Sequence, residues 1–238
     1  MKIFIKLLLK NPLSILSNPS MDLIRHLIET ESLKTPAIIS AFQKIKRIDF
    51  LPSSEKDLAN LNEALPIDCE QTISQPQVVA FMLELLQPKS GEKILDIGSG
   101  SGWTSALLAE IVSLKGKIIA IEIIPKLKEF GENNVAKYSF IKKGIVEFFC
   151  IDGSKGCPNI SSHPKFSRGF DKILCSAEIK EIPKEWKKQL KKGGRIVTPL
   201  NDSIWLFEKI SENKFKSTAY PGFVFCSVYN KQKIWIII

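Results

Sequence analysis

Apolar positions fall into two regimes along the chain: helical spacing up to about residue 90, then short bare apolar runs alternating with helical stretches. Behind Ser20, which reads as an N-cap, Leu23, Ile24, Leu27 and Ile28 repeat at helical spacing. Pro36 opens a second helix, with Ala37, Ile38, Ala41, Phe42 and Ile45 on one stripe. Residues 47–69 show neither period and read as irregular, completing an N-terminal cap without strands. Pro76 opens a third helix over 78–86, apolar nearly all round and therefore buried.

After Pro88 and Gly91 the pattern predicts strands over 93–97, 117–123, 145–151, 172–175 and 195–199, with helices over 103–113, 125–138 and 183–190 between them. Regular alternation with bare apolar strands predicts a parallel sheet covered on both faces. The tail, with strand-like runs over 204–210, 214–219, 223–228 and 234–238 at hairpin spacing, predicts antiparallel strands at the end of that sheet. The expected architecture is therefore α/β: a Rossmann-like, doubly wound, mostly parallel seven-stranded sheet, with an N-terminal helical cap. Three segments follow: a basic, apolar leader over 1–20 or a start at Met21, a cap with a substrate loop over 21–90, and a cofactor domain over 91–238. The leader's apolar run, Leu7 to Leu9, is cut by Lys6 and Lys10, far short of a membrane span.

The chemistry centres on ILDIGSGSGW, Ile94 to Trp103, where a strand runs into a glycine-rich turn and a helix. That turn lies at the carboxyl ends of the strands, where doubly wound sheets bind ligands. A dinucleotide fold wants a third glycine three positions after the second, but Trp103 stands three after Gly100. Asp96, two residues before Gly98, opposes phosphate and suits a cofactor carrying an ammonium and a sulfonium. S-adenosylmethionine has that charge pattern; Asp96 also fits a simple strand-end cap. Glu122 ends the next strand 24 positions after Gly98, where an acid can accept from both hydroxyls of an adenosine ribose. Asp152-Gly153 follows the third strand and reaches the same edge, at the adenine. Gly98, Ser99, Gly100, Gly102, Asp96, Glu122, Asp152 and Gly153 are thus the candidate cofactor residues.

Composition adds limits. The chain has 238 residues, 44% hydrophobic and 25% charged, which suits one ordinary buried core. Two histidines leave little for metal ligation or imidazole base chemistry, and no metal site is expected. Five cysteines without a CxxC pair read as reduced thiols in a cytoplasmic setting. The net charge of +9 favours anionic partners in general, or reflects a Lys-rich composition.

EQTISQPQVVAFMLELL, Glu70 to Leu86, followed by LDIGSGSGW, IEI at Ile121 to Ile123, DGSKG, EIP and QLKKGGRIVTP, resembles the protein-L-isoaspartate O-methyltransferase family. Residues 21–52 are similar to that family's N-terminal helices, and the likeness runs in unbroken order over about residues 21 to 226. The resemblance implies methyl transfer from S-adenosylmethionine to the α-carboxylate of isoaspartyl residues in damaged proteins. The ester then loses methanol to a succinimide that partly reopens as aspartate. It implies Ser74 at the substrate carboxylate, Gln71, Thr72 and Ile73 between substrate and cofactor, and Ile123 beside Glu122 on the cofactor. It also implies that the sheet's last two strands are exchanged relative to most class I methyltransferases, and a monomer acting on isoaspartyl peptides with no obligate nucleic acid.

The chain departs from the family at Asp68 and Glu70, where glycines are expected, and at FVFC, Phe223 to Cys226. Anions at 68 and 70 repel an acceptor carboxylate unless they point outward or pair with a cation. The alternatives are a class I methyltransferase of another protein or of nucleic acid, and a cofactor-binding homologue with weak or lost activity. Against nucleic acid, Lys184, Lys187, Lys188, Lys191 and Lys192 fit a solvated helix face. CSAEIKEIP carries no [DN]PP[YF] motif, and only the reversed pair Cys157-Pro158 occurs where cytosine-C5 enzymes need Pro-Cys.

Overall fold

The computed structural model describes residues 19–157 and 169–223. The leader up to residue 18, His163, Cys226, all but the first residue of the strand expected over 223–228, and the strand expected over 234–238 lie outside them.

The chain begins with α1 (Pro19–Glu29) and α2 (Pro36–Lys44), two short 3-10 turns (Arg47–Phe50 and Ser53–Leu58), β1 (Leu65–Asp68), β2 (Gln71–Ile73) and α3 (Pro76–Leu86). Then come β3 (Lys93–Ile97), α4 (Trp103–Val112), β4 (Lys117–Glu122), α5 (Pro125–Ala136), β5 (Val146–Cys150) and β6 (Phe170–Cys175). The chain continues through α6 (Lys184–Gln189), β7 (Leu190–Pro199), β8 (Ser203–Ser211) and β9 (Lys214–Pro221). Helix α1 starts at Pro19, so Ser20 falls inside its first turn and is not its cap.

Seven strands form one sheet in the order β5-β4-β3-β6-β7-β8-β9. β3 to β7 are parallel, and β8 and β9 are antiparallel, with the last two strands following β7 in chain order as the resemblance implies. Alternate residues of each buried strand face opposite sides. Ile94, Ile118, Ala120 and Leu174 join one core with residues of α1 to α5; Leu95, Ile119, Ile173 and Ile196 join a second core with Trp186 of α6. Among the described residues the two faces are thus unequally covered.

The expected strandless cap is corrected at residues 65–73, where β1 and β2 pair antiparallel as a small separate sheet. The pairing Asp68↔Gln71 leaves a two-residue turn, Cys69-Glu70, with φ of 53° and 58°. Both turn residues are left-handed, the conformation that matches a tight hairpin's twist. Neither is glycine or asparagine, which hid the turn from the sequence. Within the cap, α2 and α3 are tied together through Glu84 of α3, whose carboxylate accepts from Lys34 N, Thr35 N and Thr35 Oγ1 at the start of α2.

Candidate functional site

A cavity of about 510 Å³ opens where β3, β4, β5 and β6 end. It is within the size range of small-molecule sites and lies where parallel sheets bind ligands. Its walls are the hairpin residues Gln71 to Ser74, the loop after β3, the end of β4 through Ile124, residues 151–154, and the segment 175–181 after β6.

The loop after β3 is fixed by close packing. A Cβ on Gly102 would lie 2.6 Å from Gly131 O, and one on Gly131 would lie 2.6 Å from Gly100 O. Two glycines facing each other let α5 press its backbone onto the loop, which explains the glycine in an otherwise weak helix. Glu122 braces the loop from the next strand. Its Oε2 accepts from Gly100 N at 2.9 Å, and its Oε1 accepts from Ile123 N and Ile124 N at 2.8 and 3.0 Å. Burial pushes its pKa up, opposed by those three backbone donors.

Of the cofactor candidates, Gly98, Ser99, Gly100, Glu122, Ile123, Asp152 and Gly153 line the cavity together with Gln71, Thr72 and Ile73. Ser99 Oγ is buried and has no hydrogen-bond partner. Ile123 is 48% exposed, an apolar side chain left uncovered on the cavity wall. Asp152 accepts from Ser154 N and caps the short turn at Gly153–Lys155. Trp186 donates its indole N–H to Gly153 O at 2.8 Å, and Gln189 bonds both N and O of Cys157, so α6 holds this loop. Ser74 lines the cavity at the exit of β2.

Two candidates lie off the cavity. Gly102 is not on its lining and serves the contact with Gly131. Asp96 is also off the lining: it is wholly buried behind the loop, accepts from Ser105 Oγ, and has one carboxylate oxygen without a partner. Burial raises its pKa to about 7, with Ser105 opposing the shift and the nearby Glu122 adding to it.

The sequence reading did not single out Ser101, Thr104, Trp186 or the segment Ser176 to Lys180 as cavity residues. The position of that segment at the carboxyl end of the fourth parallel strand was the available signal. Asp68, expected to disturb an acceptor carboxylate, turns outward to Lys126, with Oδ2 to Nζ at 2.7 Å. The Lys126 ammonium holds the Asp68 carboxyl below its usual range.

The comparisons with known proteins agree on one family. A family model described as protein-L-isoaspartate(D-aspartate) O-methyltransferase matches residues 18–233. A protein-L-isoaspartate O-methyltransferase of Methanopyrus kandleri is 33% identical over 214 residues, 88% of this chain and 91% of that protein. One of Pyrococcus horikoshii is 40% identical over 182 residues, 76% of each chain. Among solved structures, a protein-L-isoaspartate O-methyltransferase superposes with TM-score 0.70 at 27% identity, covering 85% of this chain and 65% of that one. A Plasmodium falciparum structure described as such an enzyme in complex with S-adenosyl-L-homocysteine shares the fold, with TM-score 0.75 at 18% identity, covering 87% of this chain and 98% of that one.

Proposed function

The chain belongs to the protein-L-isoaspartate(D-aspartate) O-methyltransferase family, and from that membership we propose how its own residues carry the activity. It methylates the α-carboxylate of isoaspartyl residues in damaged proteins, with S-adenosylmethionine as donor. The observation that carries the reading is the cavity in which Glu122, the glycine loop and Ser74 meet at the strand ends.

The residues fit that donor. Ser99 Oγ, buried and without a partner, is a hydroxyl prepared for a polar ligand atom. Glu122 and Asp152 give the wall acceptors suited to hydroxyls and an ammonium group. Among the described lining residues the only cation is Lys180, on the segment after β6, which gives little to neutralise a pyrophosphate. We assign Glu122 to the ribose hydroxyls, Ile123 and Asp152-Gly153 to the adenine, and Gly98, Ser99 and Gly100 with Gln71, Thr72 and Ile73 to the amino-acid end. Gly102 and Asp96 act through the loop from behind it.

When bound, S-adenosylmethionine supplies a sulfonium methyl for a carboxylate oxygen to take. The acceptor needs no base, because a carboxyl group with a pKa near ~4 is already an anion at neutral pH. Ser74 donates its hydroxyl to one acceptor oxygen and so orients the other, a positioning role worth most when reacting atoms sit about 3–3.5 Å apart. The hairpin carries Ser74 and shields the cavity from water. Pairing of Asp68 with Lys126 offsets the negative charge that the chain places where glycine is usual in the family.

The cap over 21–90 supplies Ser74 to the acceptor and Gln71, Thr72 and Ile73 to the donor, and the remainder supplies the rest of the donor side. No helix among the described residues is long and apolar enough to cross a membrane. We take it to act as a monomer in the cytoplasm, a setting that suits four described cysteines outside any disulfide. Transfer of a tritiated methyl group tests the reading: isoaspartyl peptide should be labelled, and labelling confined to RNA or DNA would reject it.

A further inference from the structure

Arg47 lies in the 3-10 turn after α2 and is 6% exposed. Its guanidinium sits 5.5 Å from the centre of the Trp103 ring, one of the cavity-wall side chains. Nη1 donates to Ala59 O and Leu61 O at 3.2 and 3.0 Å, and Nη2 donates to Glu63 O at 2.7 Å and to Ser74 O at 3.2 Å. Nε has no partner. Among the described residues no carboxylate forms an ion pair with it, whereas the other buried cations, Lys117, Lys172 and Lys209, each face a glutamate.

A buried cation is normally compensated by an anion, because taking charge out of water is costly. Four carbonyl dipoles solvate this one in part and leave its net charge intact. The charge stands one backbone group behind Ser74, inside protein where field lines are weakly screened. An anion beside the Ser74 hydroxyl would be drawn to it.

We infer that Arg47 is a positioning residue of the acceptor site: it fixes the Ser74 carbonyl and supplies the unpaired positive charge that makes the pocket select an ionised carboxylate over a neutral group. This rests on the assignment of Ser74 to the acceptor. It gives the hairpin's exit a fixed direction, since the same guanidinium ties Ser74 to the 59–63 segment.

Inhibition constants for two peptides test it, measured on the enzyme with S-adenosylhomocysteine bound. One carries the L-isoaspartyl α-carboxylate and the other the corresponding α-carboxamide. Wild type should favour the carboxylate, and Arg47→Met should lower that ratio about tenfold with S-adenosylhomocysteine affinity unchanged. Arg47→Lys keeps the charge and loses the fork, so both peptides should bind more weakly while the ratio stays within about threefold of wild type. An unchanged ratio in Arg47→Met overturns the inference, because a purely structural loss weakens both peptides alike. Should Arg47→Met not fold, a collapsed ratio in a folded Arg47→Lys overturns it instead. A wild type that binds neither peptide would sink the Ser74 assignment itself, which distinguishes the two failures.

Discussion

Gly100 donates its backbone N–H to Glu122 Oε2 across 2.9 Å, so the acid that ends β4 also holds the tip of the loop that follows β3. One side chain thereby couples two strand ends into a single rigid edge. Glu122→Gln keeps the size but brings an N–H toward backbone donors. It should weaken S-adenosylhomocysteine binding by about tenfold to a hundredfold, since hydrogen bonds to a charged group are worth about 1.5–3 kcal/mol each. Isothermal titration calorimetry reads this directly.

Ser74 offers a contrasting separation. If its hydroxyl only orients the acceptor, Ser74→Ala should lower kcat by about tenfold to a hundredfold, and S-adenosylhomocysteine affinity should stay within about twofold. Steady-state rates with an isoaspartyl peptide, set beside calorimetry, check both halves.

The ion pair of Asp68 with Lys126 is open to solvent, at 43% and 71% side-chain exposure, so its effect should be electrostatic and screened. Lys126→Ala uncovers a carboxylate near the acceptor. The KM for isoaspartyl peptide should rise about two- to fivefold at low ionic strength and return toward wild type in about 0.5 M salt. Asp68→Gly in the Lys126→Ala background should restore the low-salt KM.

Glu70 holds φ of 58° at the tip of the hairpin. A left-handed backbone strains any residue with a Cβ, so Glu70→Gly should stabilise the protein by about 0.5–1 kcal/mol. Urea unfolding midpoints measure it.

Asp96 gives stability a pH dependence. Its carboxyl has a pKa of about 7 in the folded protein against an ordinary 3.8, so the native state carries the extra proton between those values. Stability should therefore fall as pH rises through that window and level off above it. Asp96→Asn mimics the protonated acid and should flatten the slope in urea midpoints taken from about pH 4 to about pH 8.

Much of this was legible before the structure. β3 to β7 could be read because buried parallel strands are bare apolar runs, and the glycine loop, Glu122 and Asp152-Gly153 because strand ends collect ligand contacts. The hairpin was not legible. β1 has a polar partner strand of three residues, and its turn uses Cys69-Glu70 where sequence rules look for glycine or asparagine. Asp96 looked like a cavity residue from its distance to Gly98, but strand alternation and the packing of Ser105 turn it into the core. Its neighbour Ile97 takes the cavity side. Arg47 carried no signal either, since a partnerless buried charge is visible only once the chain closes around it.

The central claim is that a donor lying across the strand ends meets an ionised acceptor beside Ser74. Two peptides of identical sequence, one with L-isoaspartate and one with aspartate, test it most directly when each is incubated with the enzyme and methyl-labelled S-adenosylmethionine. The isoaspartyl peptide should gain a base-labile methyl ester that releases labelled methanol, while the aspartyl peptide stays unlabelled. Equal labelling of both, or none of either with the cofactor demonstrably bound, would contradict the account.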